Sequence, residues 1–360
     1  MANDPLPDFP HDDVRRIAAR LKADEVLVPG FEPDPRGLLD LQALADAGEG
    51  QGIDTVLLLD RNLVSRMASV ASRGLKAPLP EMDRIAIDLM AFAQSVNLQI
   101  EPSVAYHELA APSANDAAHL ELGWFNVANR GAASVWIDLA LGRRTDAPLG
   151  QPEPTPVVDL SLPLRRWRYN YVVALRVAAL ERSAASPLDR ALGLFDWMYS
   201  DFQLAGPAAL YASMYFGPRA ARHGMFRNLN SDDREKAIKG VKVAAWDMTH
   251  LSDFSRRITS APKWNRYIFA SGDRALLSVA RLLSVPEDGA EARRALAEGF
   301  AQWWPAGDAR ALAERLLDLT DKVKRNDQTK WSTAADDPTP QFTAEGEAMV
   351  RATPAPQTVS

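Results

Sequence analysis

The sequence predicts an α/β protein carrying a mostly α-helical insertion. Three observations lead there. IDTVLLLDRNLV (53–64) opens on a β-branched and aliphatic run, Thr55 to Leu59. The run has no helical stripe, and its length suits a strand buried on both faces. WNRYIFASGDRALLSVARLL (264–283) repeats the arrangement: an aromatic strand, a Ser-Gly-Asp turn, then a helix. Between these two stretches, residues 113–230 lose strand character and read as helix after helix.

In chain order, residues 1–11 read as flexible, and Asp12 to Lys22 as a short helix with Val14, Ile17 and Leu21 on one face. EVLVPG (25–30) reads as a small strand or an extended arm. Leu38 to Ala47 is expected to be helical, and Gly48, Gly50 and Gly52 break it before the strand. A helix from Asn62 to Ser72 follows that strand, and RGLKAPLP (73–80) is a loop. Met82 to Val96 carries Ile85, Leu89, Phe92 and Val96 on one stripe, which predicts a helix. LQI (98–100) is a second short strand, and Pro102 starts the next helix, SVAYHELA (103–110).

Helices are expected at 115–128, 131–141, 164–185, 187–200 and 207–215, interrupted by the Pro-rich connection 142–156. Asp232 to Ile258 is one long helix, and helices near 289–301 and 307–322 close the fold. Residues 326–360 are polar and without periodicity, so disorder is expected there. The domain reading is an N-terminal extension (1–50), an α/β domain (51–323) interrupted by the insertion 113–230, and a disordered tail (324–360).

Composition narrows the function. The 360 residues are 47% apolar, enough for a substantial core, and the net charge of −6 advertises no global affinity for nucleic acid. Cysteine is absent, which excludes disulfides, thiol catalysis and thiolate metal sites. MANDPLPDFPHDD has no signal-peptide pattern, and no apolar run reaches the roughly 20 residues that span a bilayer. A soluble cytoplasmic protein is expected.

The acidic residues at element ends carry the chemistry. Asp60 ends the first strand where the chain turns into a helix, the place where open α/β sheets bind ligands. Asp273 repeats that position after Tyr267 to Ala270. Aspartate is also a favoured helix N-cap, so either residue alone is explained by capping. Asp247 sits on a helical face with Ala244, Leu251, Phe254 and Ile258, an acid within an inward stripe. A buried carboxylate must be neutral, paired or metal-bound, and a salt bridge to arginine is the ordinary alternative. Asp253 lies off that stripe and reads as solvated. Glu108 follows the second strand by less than three helical turns, with Glu101 as its rival and a surface glutamate as the ordinary reading. Carboxylates gathered in one cleft repel, and Mg²⁺ or Mn²⁺ removes the conflict through oxygen ligands. Phosphodiester hydrolysis suits that chemistry best.

These residues resemble the PIN-domain ribonucleases. VLLLDRN offers the family's strand, Asp60 and Asn62, with Arg61 where the family often has Thr. PSVAYHELA offers Glu108, AAWDMTHL offers Asp247, and FASGDRALLSVARLL offers Asp273 with Ser271 in the Thr position. The match covers about 51–111 and 232–284, and the long interval from Glu108 to Asp247 requires 113–230 to be an insertion. The resemblance implies a central parallel sheet flanked by helices. It also implies a Mg or Mn site made by Asp60, Glu108, Asp247 and Asp273, with Asn62 and Ser271 positioning it, and hydrolysis of RNA. The ion chemistry would serve DNA or a phosphomonoester as well. The chain is longer than the small PIN toxins held by an antitoxin, which puts that role in doubt.

The insertion offers a nucleic-acid contact. LPLRRWRYNYVVALR (162–176) interleaves Arg165, Arg166 and Arg168 with Trp167, Tyr169 and Tyr171. Phe202 to Asn230 has no acid and contains Arg219, Arg222 and Arg227. Arginines hold phosphates and aromatic rings stack on unpaired bases, while the ordinary reading is a solvated arginine face over core aromatics. Against the nuclease stands a non-catalytic scaffold that binds protein or nucleic acid, or a second copy, through the insertion. His107-Glu108 lacks a second histidine at 111, and His11, His119, His223 and His250 have no ligand spacing. Phosphate-loop and nucleophile-elbow motifs are also missing.

Overall fold

The computed structural model describes residues 9–113, 115–153, 158–222, 224–284, 289–326 and 337–352. They form two compact units. The first draws on the chain up to Leu162 and on Arg257–Leu277, the second on Pro163–Arg256 and on the chain from Ser278.

The first unit is α/β. Its strands are β1 (Leu27–Pro29), β2 (Asp54–Leu59), β3 (Gln99–Glu101) and β4 (Asn265–Ala270), in the order β1-β4-β2-β3. β2 runs parallel to β4, with Leu59 beside Ala270, and parallel to β3, with Leu58 beside Glu101. Five consecutive residues of β2, Thr55 to Leu59, are buried, as a strand covered on both faces requires. The sheet is mixed rather than all-parallel, because the stretch read as strand or arm is β1, antiparallel to β4. Its edge position tolerates Pro29, which has no N–H to give a further strand.

Helices cover this sheet. They are α1 (His11–Asp24), α2 (Leu41–Ala45, continued by a π-turn over Asp46–Gly50), α3 (Arg61–Arg73), α4 (Glu81–Ser95), α5 (Ser103–Ser113), α6 (Asn115–Asn129) and α7 (Ala133–Ala140). Two boundaries expected from the sequence move. Residues 11–24 are no extension: Val14, Ile17 and Leu21 of α1 are buried in one cluster with Leu57, Leu63 and Met67. The three glycines at 48–52 separate elements, not domains. The beginning of the expected insertion also belongs here, since Phe125 of α6 and Trp136 of α7 lie in that same cluster. Their aromatic bulk fills the unit's core, which periodicity alone does not reveal. The His107 ring sits 2.9 Å from the Leu160 carbonyl and the His119 ring 2.7 Å from that of Val158, so both histidines tether the 158–160 segment.

The second unit is helical. It contains α8 (Arg165–Glu181), α9 (Pro187–Ser200), α10 (Gly206–Phe216), α13 (Gly289–Phe300), α14 (Ala306–Asn326) and α15 (Thr339–Ala352). It also holds most of α11 (Arg234–Thr259) and the end of α12 (Arg274–Leu282), which each run across a unit boundary. Ser186 caps α9 by accepting from the Asp189 N–H at 3.2 Å, with Pro187 in the first turn. The tail read as disordered contains α15, which packs on α8. Phe342 meets the rings of Trp197 and Phe202 edge-on at 5.6 Å each, and Tyr171 donates to Glu347 at 2.7 Å. Few apolar residues suffice to dock it, which is why its composition reads as polar. The rest of that tail (327–336 and 353–360), residues 1–8, His223 and residues 154–157 lie outside the described residues. No described helix is long and apolar enough to cross a membrane.

Candidate metal centre

The parallel pairing of β2 and β4 fixes where the first unit gathers its polar side chains. Leu59 and Ala270 are register partners, so Asp60 and Ser271 leave the sheet side by side. The Asp60 N–H still donates to the Ala270 carbonyl at 2.9 Å. Ser271 is fully buried and donates its hydroxyl to Asp60 Oδ2 at 2.6 Å. Asn62 adds its side-chain amide to the same oxygen at 3.3 Å, and its backbone N–H to Oδ1 at 3.4 Å. Asp60 therefore caps α3, as the ordinary reading expects, and is also gripped by a second chain segment. It is 5% exposed, so these donors replace lost water.

Ser271 extends the chain of bonds by accepting from the Asp273 N–H at 2.9 Å. The Asp273 carboxylate accepts from the N–H groups of Ala275 at 2.8 Å and Leu276 at 3.2 Å. Its contacts are those of an N-cap on α12.

Glu108 arrives from α5. Its side chain is 16% exposed, so it is not a surface glutamate. One of its oxygens lies within 4.8 Å of an Asp60 carboxylate oxygen. The rival, Glu101, accepts from the Ser103 N–H at 3.1 Å and pairs with Arg257 at 3.8 Å, which occupies it at the start of α5. Two carboxylates this close repel when both are charged, and a positive partner relieves that repulsion. Arg61, which the sequence marks only as a departure from the family pattern, brings its guanidinium to 3.8 Å from Glu108. Its adjacency to Asp60 is the signal that could have singled it out.

The donor set fits a hard divalent cation. Asp60 and Glu108 offer two carboxylates, the oxygen ligands that such an ion takes. Arg61 Nε is buried and makes no hydrogen bond, as are the Nε atoms of Arg20 and Arg144 in the same unit.

Asp247 lies in the second unit. It is half-buried and accepts from the Tyr211 hydroxyl at 2.8 Å. Asp253, expected to be solvated, is 7% exposed and pairs with Arg166 at 3.0 Å and Arg256 at 2.9 Å. The apolar stripe does not mark off a solvated face because α11 is buried on several sides, Ala245, Trp246, Met248, Thr249 and His250 included.

The arginine-rich stretches of the second unit divide. Arg166 is committed to Asp253, and Arg222 to Glu181 at 2.9 Å. Arg165 lies over the Tyr169 ring and bonds its hydroxyl at 2.9 Å. Arg168, Arg219 and Arg227 are exposed. The interleaved aromatics pack on one another: Trp167 stacks on Tyr171 at 5.0 Å and leans on Trp246 at 5.5 Å, and Tyr169 meets Phe202 edge-on. They are core aromatics, not a free stacking platform.

Compared with models of protein families, curated proteins and solved structures, the chain matches none.

Proposed function

We propose that the protein is a Mg²⁺- or Mn²⁺-dependent phosphodiesterase, acting as an endoribonuclease of the PIN-like kind. The observation that carries this reading is the approach of Asp60 and Glu108 within 4.8 Å at the carboxyl rim of parallel strands. In this reading Asp60 and Glu108 hold the cation. The family resemblance adds Asp273 to the ligand set. A bound cation of this type activates water and stabilises charge on a phosphoryl group. The chain's own contribution is orientation: Ser271 and Asn62 donate to Asp60 and hold its carboxylate aimed. Exposed Arg168, Arg219 and Arg227 are the remaining candidates for RNA contact.

Incubation of the full chain with single-stranded RNA and DNA, with Mn²⁺ or a chelator, tests this. RNA is cleaved with Mn²⁺ and spared with chelator, and Asp60→Asn or Glu108→Gln lowers the rate by roughly a hundredfold or more. Asp273→Asn, assayed alongside, decides whether that acid shares the role. A second reading is a non-catalytic scaffold, favoured by Arg61, which supplies Glu108 with a positive charge without any ion. Intact RNA together with tight binding by the wild type establishes that reading instead.

A further inference from the structure

Arg61 is the first residue of α3, directly after Asp60. Its guanidinium stands 3.8 Å from Glu108, beyond hydrogen-bond range, and this is its one ionic partner among the described residues. Its side chain is 36% exposed, yet its Nε is buried and makes no hydrogen bond. Arginines of the same unit divide: Arg144 also stands off its acid, 3.9 Å from Asp146, while two others close on theirs. Arg20 closes on Asp88 at 2.6 Å, and Arg143 grips Asp13 with two bonds of 2.7 and 2.9 Å. Arg61 stands off from Glu108 beside Asp60, and its Nε makes no hydrogen bond. The planar guanidinium fork matches the paired oxygens of a phosphate.

We infer that Arg61 is the phosphate-binding residue of this centre, taking the non-bridging oxygens of a phosphodiester, and that its charge also sets how tightly Asp60 and Glu108 hold a divalent cation. The inference rests on the phosphodiesterase reading above. It makes the two ligands respond in opposite directions to one substitution. Arg61→Ala removes a positive charge beside the acids, so the cation binds more tightly. The same change removes the fork, so the phosphodiester binds more weakly. An arginine that merely braces α3 against α5 would produce neither pattern.

The test uses the full chain. Mn²⁺ binding is followed by electron paramagnetic resonance of the free ion. Binding of a labelled single-stranded 2′-O-methyl oligoribonucleotide is followed by anisotropy, with Mn²⁺ and with chelator. Arg61→Ala is expected to tighten Mn²⁺ binding about threefold or more and to weaken oligonucleotide binding about tenfold. Arg61→Lys keeps the charge without the fork, so Mn²⁺ affinity stays near wild type while oligonucleotide affinity remains low. Oligonucleotide affinity unchanged in Arg61→Ala, or Mn²⁺ binding weakened by it, overturns the inference. If wild type and Asp60→Asn fail alike to bind Mn²⁺, the phosphodiesterase reading falls, and the chelator arm alone then decides whether Arg61 binds phosphate.

Discussion

Two donors from distant parts of the chain hold the Asp60 carboxylate: Asn62, two positions on, and Ser271, 211 positions on. Asp60 was legible because a buried strand stopped at an acid. Its bond to Ser271 was not, since only the β2–β4 register sets those side chains together. Glu108 and Glu101 were indistinguishable in the sequence, and the direction of α5 separates them. Elsewhere in the unit, Asp88 shows burial opposing charge. Its side chain is fully buried against Arg20 at 2.6 Å and Arg84 at 3.2 Å. Burial pushes its carboxyl up to about 6, against the pull of both arginines. A folded-state value above the unfolded one means that the native state holds the extra proton between about pH 4 and pH 6. This contribution to stability is full below about pH 4 and lost as pH rises through about 6. Denaturant unfolding at both ends of that window should show this loss in wild type and not in Asp88→Asn, which cannot titrate. Replacing Asp88 by Ala takes the carboxylate from Arg20, while Arg84 keeps Asp24 at 2.8 Å, and should cost about 1–3 kcal/mol at neutral pH, read from the same unfolding curves.

Among elements, the long periodic ones were the most legible. α3, α4 and α11 fall within about two residues of their sequence boundaries, because a stripe and its caps define them. Edge strand β1 was ambiguous because three residues carry too little pattern. Asp253 was misread because a stripe identifies the inner face only when the opposite face meets water, and α11 is buried on several sides. α15 went unread because its docking depends on a close approach instead of an apolar stripe. A Cβ on Gly346 would sit 2.8 Å from the Leu175 Cβ. Gly→Ala inside an exposed helix usually stabilises by about 1 kcal/mol. Gly346→Ala should reverse that sign and destabilise the second unit by about 1–3 kcal/mol, measured by chemical denaturation, because overpacking against α8 exceeds the propensity gain.

At the scale of the whole molecule, the α/β class was legible from two strand–acid–helix repeats, while the partition was not. A division at 113 follows the change from mixed to helical pattern, but α6 and α7 fill the core of the α/β unit, and the boundary falls after Leu162. Composition tracks secondary structure, and domain membership is decided by which core a buried aromatic enters. The net charge of −6 makes any affinity for a polyanion depend on local cations, which gives Arg61 and the exposed Arg168, Arg219 and Arg227 their weight. The central claim is that Asp60 and Glu108 form a divalent-cation site. Anomalous diffraction from crystals of the full chain soaked in Mn²⁺ tests it most directly. The account predicts a Mn²⁺ peak bridging the carboxylates of Asp60 and Glu108 and lost in Asp60→Asn; crystals with no peak there, and with the Arg61 guanidinium closed onto Glu108, would contradict it.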